Sequence, residues 1–150
     1  MGRESRSMSK SQNVSLIMYH FVCPAKYRRV VLSEAVDVGL KKICQEIEDR
    51  FDITFLEIGT DKYDVHFIVQ SVPKLSPSKI IRTIKRITAK KMFERFPDVK
   101  EKLWGGPFWS DGYYVSTVGQ DSYEQVISNY VKNQGKPIII KSCNLTPLLF

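Results

Sequence analysis

Tyr63-Asp64-Val65-His66-Phe67-Ile68-Val69-Gln70 is the stretch that decides the fold of this chain. Its apolar core is typical of a buried strand, and Ile53–Ile58 has the same character. Only the turn-like segment Gly59–Lys62 separates the two, and so short a connection joins neighbouring strands as an antiparallel pair. The sequence therefore predicts a β-hairpin here.

The elements around this hairpin follow in the order β-α-β-β-α-β, with one more helix at the end. They are a strand at Val14–Val22, a helix capped by Ser33, a helix from Ser76 or Ser78 to about Phe96, a strand at Tyr113–Val118 and a helix that begins at Asp121 or Ser122. This order predicts an α+β fold of the ferredoxin-like kind, a split β-α-β antiparallel sheet with an additional C-terminal helix. Helices then cover one face of the sheet, and the other face, or the last helix lying on it, is available for a site.

Length and composition indicate one soluble domain. The chain has 150 residues, of which 43% are hydrophobic and 26% charged. We expect a disordered lead over 1–12, a single domain over 13–136 and a C-terminal tail over 137–150. Three scattered cysteines with no C-x-x-C spacing predict no disulfide framework, which is typical of the cytoplasm. No signal-peptide core and no apolar run of roughly 18–20 residues are present, so we expect no membrane partner.

The charge balance favours an anionic partner. There are 23 Lys and Arg against 16 Asp and Glu, a net charge of +7, which fits nucleic acid, although a basic surface is often merely solvated. The candidate phosphate-binding residues are Lys26, Arg28, Arg29, Arg82, Lys85, Arg86 and Lys90. Five aromatic residues could stack on unpaired bases or belong to the core, and the sequence leaves both open: Trp104, Phe108, Trp109, Tyr113 and Tyr114.

Asp64 and His66 are candidate metal ligands. Side chains alternate along a strand, so these two share one face while Val65 points to the other. A carboxylate buried in a strand has to be paired, hydrogen-bonded or bound to a metal. Mixed oxygen and nitrogen ligands, with an amide from Gln134, suit Mg²⁺ or Mn²⁺. The alternative for His66 is a hydrogen-bonded structural residue.

Tyr130 is the candidate nucleophile. In the last predicted helix, Tyr130 and Gln134 are one turn apart and lie on one face. A metal held by Gln134 would therefore lie close to the phenol, which needs such help to attack a phosphate at neutral pH because its pKa is ordinarily near 10. Packing in a stripe of apolar residues is the alternative for Tyr130.

From about Tyr19 to Gly135 the sequence resembles the single-tyrosine HUH transposases of small bacterial and archaeal insertion sequences. The resemblance rests on landmarks in the family's order: Tyr19-His20, Cys23-Pro24-Ala25-Lys26-Tyr27-Arg28-Arg29, Thr60-Asp61-Lys62, Leu103-Trp104, Ser116-Thr117-Val118-Gly119, and Tyr130 with Asn133-Gln134. It implies a ferredoxin-like core, binding of single-stranded DNA hairpins near the ends of the element, and a homodimer. It also implies that Tyr130 forms a 5′-phosphotyrosine, that Gln134 is the third metal ligand, and that the tyrosine helix can complete the partner subunit's site.

The chain departs from the family at one ligand. The family pattern is His, a bulky hydrophobic residue and His, whereas Asp64 stands in place of the first His. Asp64 keeps the strand parity and can bind a hard cation, so we expect a metal-dependent single-stranded DNA transposase. One alternative is a hairpin-binding protein of this fold that does not cleave. An RNA-binding ferredoxin-like module is disfavoured, because the strands lack an aromatic-rich ribonucleoprotein signature.

Overall fold

The fold is seen in a computed structural model, which describes residues 15–29, 31, 33–119 and 141–142. The elements are β1 (Ile17–Pro24), α1 (Glu34–Arg50), β2 (Ile53–Thr60), β3 (Asp64–Ser71), α2 (Pro77–Arg95), α3 (Pro97–Lys102), β4 (Tyr114–Thr117) and β5 (Lys141–Ser142). A 3₁₀ helix at Lys26–Arg29 follows β1.

The strands form one sheet in the order β4-β1-β3-β2-β5. β1 pairs antiparallel with β3 and β4, and β2 pairs antiparallel with β3. This four-strand arrangement confirms the α+β, ferredoxin-like prediction. β5 pairs parallel with β2 and falls within 137–150, where the sequence suggested only a tail. The edge of β2 offers unpaired backbone groups, which even a two-residue segment without a strand pattern can satisfy.

Local sequence explains where the two long helices begin and end. The hydroxyl of Ser33 accepts a hydrogen bond from the Val36 amide at the start of α1. Ser76 does the same for Lys79 at the start of α2, where Pro77 occupies the first turn. Pro97 then ends α2 and begins α3, since a proline disfavours helical backbone at the residue before it.

The hydrophobic core lies between the helices and one face of the sheet. Alternate residues of β3 contribute to it, namely Val65, Phe67 and Val69, and all three are fully buried. They pack with apolar residues of α1 and α2 such as Leu40 and Ile84. Because side chains alternate, Asp64 and His66 lie on the opposite face of the sheet, as predicted.

An aromatic cluster joins the segment after β1 to the segment before β4. The Tyr27 ring stacks on Phe108, with 4.2 Å between ring centroids, and the Tyr27 amide donates to the Phe108 carbonyl at 3.2 Å. Trp109 donates from Nε1 to the Thr88 hydroxyl of α2 at 2.9 Å. This cluster fixes the end of β1 against the helical layer, next to the turn between β2 and β3.

Candidate metal centre

The candidate site begins with a contact between the two histidines. In the register of the sheet, Val22 of β1 lies opposite His66 of β3, so His20 and His66 share the face away from the helices. His20 Nε2 lies 3.0 Å from His66 Nδ1, and both residues are buried. Their rings stack with a centroid distance of 5.2 Å and an interplanar angle of 25°. This contact fixes the position of the His66 ring.

Both imidazoles are neutral at neutral pH. Burial and, to a lesser extent, repulsion from His66 lower the pKa of His20 to about 4. The pKa of His66 is also lowered by burial, and the negative charges of Asp64 and Asp61 offset only part of this shift. A neutral imidazole keeps a lone pair on one ring nitrogen, and that is the form that binds metal ions.

The contact between the histidines also determines which nitrogen of His66 can bind a cation. When His66 Nδ1 carries the proton, it donates to His20 Nε2, and Nε2 of His66 keeps its lone pair. That Nε2 atom is buried and has no hydrogen-bond partner among the described residues. A buried polar atom without a partner is costly, so a ligand at this nitrogen would satisfy it.

Two carboxylates complete the cluster. Asp61, Asp64 and His66 each offer a ligand atom, and these atoms all lie within 4.8 Å of one another. Asp64 is the first residue of β3, and Asp61 lies in the turn that precedes it. The turn is held by the Asp61 amide, which donates to the Asp64 carbonyl at 2.8 Å, and by Asp61 Oδ1, which accepts from the Lys62 amide at 2.9 Å.

This donor set fits a divalent metal ion. Carboxylate oxygens and one imidazole nitrogen are the mixed ligands that Mg²⁺ and Mn²⁺ accept in proteins. The structure brings Asp64 and His66 together as the sequence predicted. The other two predicted residues of the centre, Tyr130 and Gln134, lie outside the described residues. The prediction that the tyrosine is carried on a C-terminal helix falls there too.

The seven predicted DNA-binding residues separate into three groups in the structure. Lys26, Arg29, Arg82, Arg86 and Lys90 are exposed. Arg28 is largely buried and forms an ion pair with Asp37, with 3.2 Å between Nη1 and Oδ1. Lys85 is half-buried, and its ammonium donates to the carbonyls of Ser110 and Gly112, at 3.0 Å each. Arg28 and Lys85 thus hold the fold together locally, whereas the five exposed residues can meet a ligand.

On α2 the exposed basic residues form one stripe. Arg82, Arg86 and Lys90 follow one another at intervals of four residues, which places them on the same side of the helix. Within the part of the chain that the structure describes, none of these three forms an ion pair. Lys91 and Arg95, by contrast, both pair with Glu46 of α1. We call Arg82, Arg86 and Lys90 the α2 stripe.

The structure decides between core and surface for the five aromatic residues. Phe108 and Trp109 are buried in the aromatic cluster, whereas Tyr113 and Tyr114 are partly exposed. Trp104 is 95% exposed, and its backbone is left-handed, with a φ of 58°. That conformation costs a non-glycine residue about 1–2 kcal/mol.

Asp61 and His20 are the two site residues that the sequence reasoning did not assign. Asp61 lies in a turn, where no periodicity predicts the direction of a side chain. His20 could have been found, because its alternation in β1 matches that of His66 in β3 once the two strands are paired. The pairing itself was the missing information.

The fold and the site together define a class: a ferredoxin-like domain with a candidate divalent-metal centre at one end of its central strand. Residues 13–134 match the family "Transposase IS200 like". The chain belongs to this family, which supports a role in DNA transposition. Within the described residues, no helix is long and apolar enough to cross a membrane.

Two similar proteins come from Deinococcus radiodurans. The ISDra2 transposase TnpA is 32% identical over 118 residues, which cover 77% of this chain and 82% of the relative. A crystal structure of a candidate transposase from the same organism has 30% identity and a TM-score of 0.65, and the match covers 83% of this chain and 95% of that one. Sequence and fold thus agree on the family.

Proposed function

We propose that this protein is a metal-dependent transposase that acts on single-stranded DNA. It binds DNA hairpins at the ends of its insertion sequence and cleaves and rejoins strands through Tyr130. The observation that carries the proposal is the Asp64–His66 pair, which meets the requirements of a divalent-metal site in a chain that belongs to a transposase family.

Asp64, His66 and Gln134 are the proposed ligands of Mg²⁺ or Mn²⁺. The bound metal would polarise the scissile phosphate and offset the negative charge that develops on it. His20 holds the His66 ring by the 3.0 Å contact between Nε2 and Nδ1, and so keeps the second ring nitrogen of His66 available as a ligand.

Tyr130 is the proposed nucleophile. Its phenol oxygen loses its proton and attacks the scissile phosphorus, which forms a 5′-phosphotyrosine bond. The bond from phosphorus to the 3′ oxygen breaks, and that oxygen leaves as a 3′-hydroxyl once it takes up a proton. In the reverse direction, a 3′-hydroxyl attacks the phosphotyrosine and releases Tyr130, which rejoins the strands.

The exposed basic residues support single-stranded DNA as the substrate. Arg29 lies over the Tyr63 ring beside the turn that carries Asp61, with 5.3 Å from its guanidinium carbon to the ring centroid. Lys26 is exposed in the same 3₁₀ helix. The α2 stripe adds a one-signed surface for phosphates. Trp104 is exposed enough to stack on an unpaired base, a contact worth about 1–3 kcal/mol.

We further propose that the protein works as a homodimer in the cytoplasm and that Tyr130 can complete the partner subunit's site. These proposals come from the family resemblance. The second candidate function is a hairpin-binding protein that does not cleave, and it is favoured by one observation: Asp64 stands where the family has a histidine.

The test is formation of a covalent protein–DNA adduct. The full chain is incubated with a hairpin-bearing single strand from the end of its own element and Mn²⁺, and the products are separated under denaturing conditions. We expect an adduct with the unmodified chain and with Tyr123→Phe, a control on the same predicted helix, and none with Tyr130→Phe. An adduct that survives Tyr130→Phe contradicts the nucleophile. Hairpin binding without an adduct, with any divalent metal, supports the non-cleaving alternative.

A further inference from the structure

The metal centre lacks a second imidazole on β3, and the turn before β3 offers an additional carboxylate. Only one imidazole on β3, that of His66, is available, because the position two residues earlier is Asp64. Asp61, which no part of the proposed reaction uses, places a carboxylate oxygen within 4.8 Å of a ligand atom of each of the other two. Two carboxylates this close repel each other unless a cation lies between them.

A second observation, independent of the carboxylates, points to a ligand at the same histidine. His66 is 5% exposed, and its Nε2 atom has no hydrogen-bond partner among the described residues. Its other ring nitrogen is occupied by the contact with His20. Nε2 is therefore the nitrogen of His66 that is left for a ligand, and protein groups around it do not supply one within the described part of the chain.

The three donors also differ in exposure in a way that suits an ion entering from solvent. His66 is buried, Asp64 is half-buried and Asp61 is exposed. Such an order leaves the outer side of the centre open, where a phosphate oxygen or water can complete the coordination, as Mg²⁺ and Mn²⁺ require.

We propose that Asp61 is a ligand of the divalent cation and that it compensates for the imidazole that Asp64 replaces. The centre then has two carboxylates and one imidazole beside the proposed Gln134 amide, an oxygen-rich set that suits Mg²⁺ and Mn²⁺. This inference rests on the proposed metal-dependent function and assigns it one further ligand.

Asp61 has a structural role that the test has to separate from ligation. Its Oδ1 atom accepts a hydrogen bond from the Lys62 amide at 2.9 Å, which stabilises the turn. Asparagine keeps a carbonyl oxygen at that position and removes the charge. Asp61→Asn is therefore the informative variant, and Asp111→Asn, at an exposed aspartate of another loop, is its matched control.

The experiment is a Mn²⁺ titration of the full chain without DNA. Binding is monitored by electron paramagnetic resonance, in which the signal of free Mn²⁺ is lost as the ion binds. Removing a group that merely orients a ligand weakens metal binding roughly 10- to 100-fold, so we expect Asp61→Asn to lose at least as much. Asp111→Asn should bind like the unmodified chain. Thermal unfolding without metal should be the same for all three, which excludes a collapsed turn.

A second arm uses Asp64→His, which restores the two imidazoles. If Asp61 compensates for the missing imidazole, Asp61→Asn costs less Mn²⁺ affinity in the Asp64→His background than in the unmodified chain. Unchanged Mn²⁺ affinity in Asp61→Asn, together with a loss in Asp64→Asn, overturns the role of Asp61 and leaves the proposed function standing. Conversely, a Tyr130-independent adduct would overturn the proposed nucleophile while the metal titration still reports on Asp61.

Discussion

The two faces of β3 carry out different tasks within one strand of eight residues. Val65, Phe67 and Val69 enter the core beneath the helices, whereas Asp64 and His66 point to the other face. Alternation makes this possible, because the apolar face can fix the register while the opposite face keeps polar groups. A slip of one residue would exchange the faces, so the core residues also determine the position of the metal ligands.

The largest expected effect is on the core face. Phe67 is fully buried, and its ring packs near Phe55 and Trp109, at centroid distances of 5.7 and 6.1 Å. Phe67→Ala removes this packing and leaves a cavity, so we expect the free energy of unfolding to fall by about 3–5 kcal/mol. Urea denaturation measures it. Phe67→Leu, which keeps most of the volume, should lose much less, and an equal loss would show that the contacts of the aromatic ring, rather than the volume it fills, carry this stability.

A smaller effect is expected on the opposite face, at His20. His20→Phe leaves the buried Nδ1 of His66 without its partner, which costs about 1–3 kcal/mol of stability. It also frees the His66 ring, so Mn²⁺ affinity should fall roughly 10- to 100-fold. In His20→Gln the amide oxygen can accept a hydrogen bond from Nδ1 of His66, which should restore part of the stability and part of the Mn²⁺ affinity. Identical Mn²⁺ titrations of His20→Phe and the unmodified chain would show that His20 does not position His66.

His20 also gives this face a pH dependence that the apolar face lacks. Its pKa is lowered from 6.5 to about 4 in the folded protein, so between these values the unfolded chain binds more protons. Stability therefore rises with pH across this window and falls on acidification. Urea denaturation in the presence of a chelator should show this fall between pH 6.5 and 4, and His20→Gln should reduce it. A slope that His20→Gln leaves unchanged would assign the effect to another group.

The apolar face could be predicted from the sequence more fully than the polar one. The periodicity of the hairpin, the order of the elements and the serine caps were enough to predict the fold and the faces of Asp64 and His66. The contact of His20 with His66 depends on strand pairing at a distance of 46 residues along the chain, and Asp61 depends on the conformation of a turn. Local sequence patterns predict neither the contact between the histidines nor the position of Asp61.

Charge patterning on α2 was predictable only in part, for the same reason. The sequence grouped Arg82, Lys85, Arg86 and Lys90 as one basic surface, since all are cations on one helix. The structure separates Lys85 from the others, because its ammonium is bound by two backbone carbonyls of the loop before β4. Tertiary contacts determine which basic side chain is exposed to solvent and which one binds a loop.

The smallest expected effect lies on this third surface, outside both faces of β3. If the α2 stripe contacts phosphates, each contact that is lost reduces the magnitude of the slope of log affinity against log salt by about 0.7 for single-stranded DNA. Arg82→Gln with Arg86→Gln should then lower the slope by about 1.4, measured by fluorescence anisotropy of a labelled hairpin. Lys85→Gln is the matched control, because its ammonium is engaged with the protein; it should leave the slope unchanged and lower stability instead. A slope that falls in Lys85→Gln and not in the double variant would place the DNA on the loop before β4 rather than on the α2 stripe.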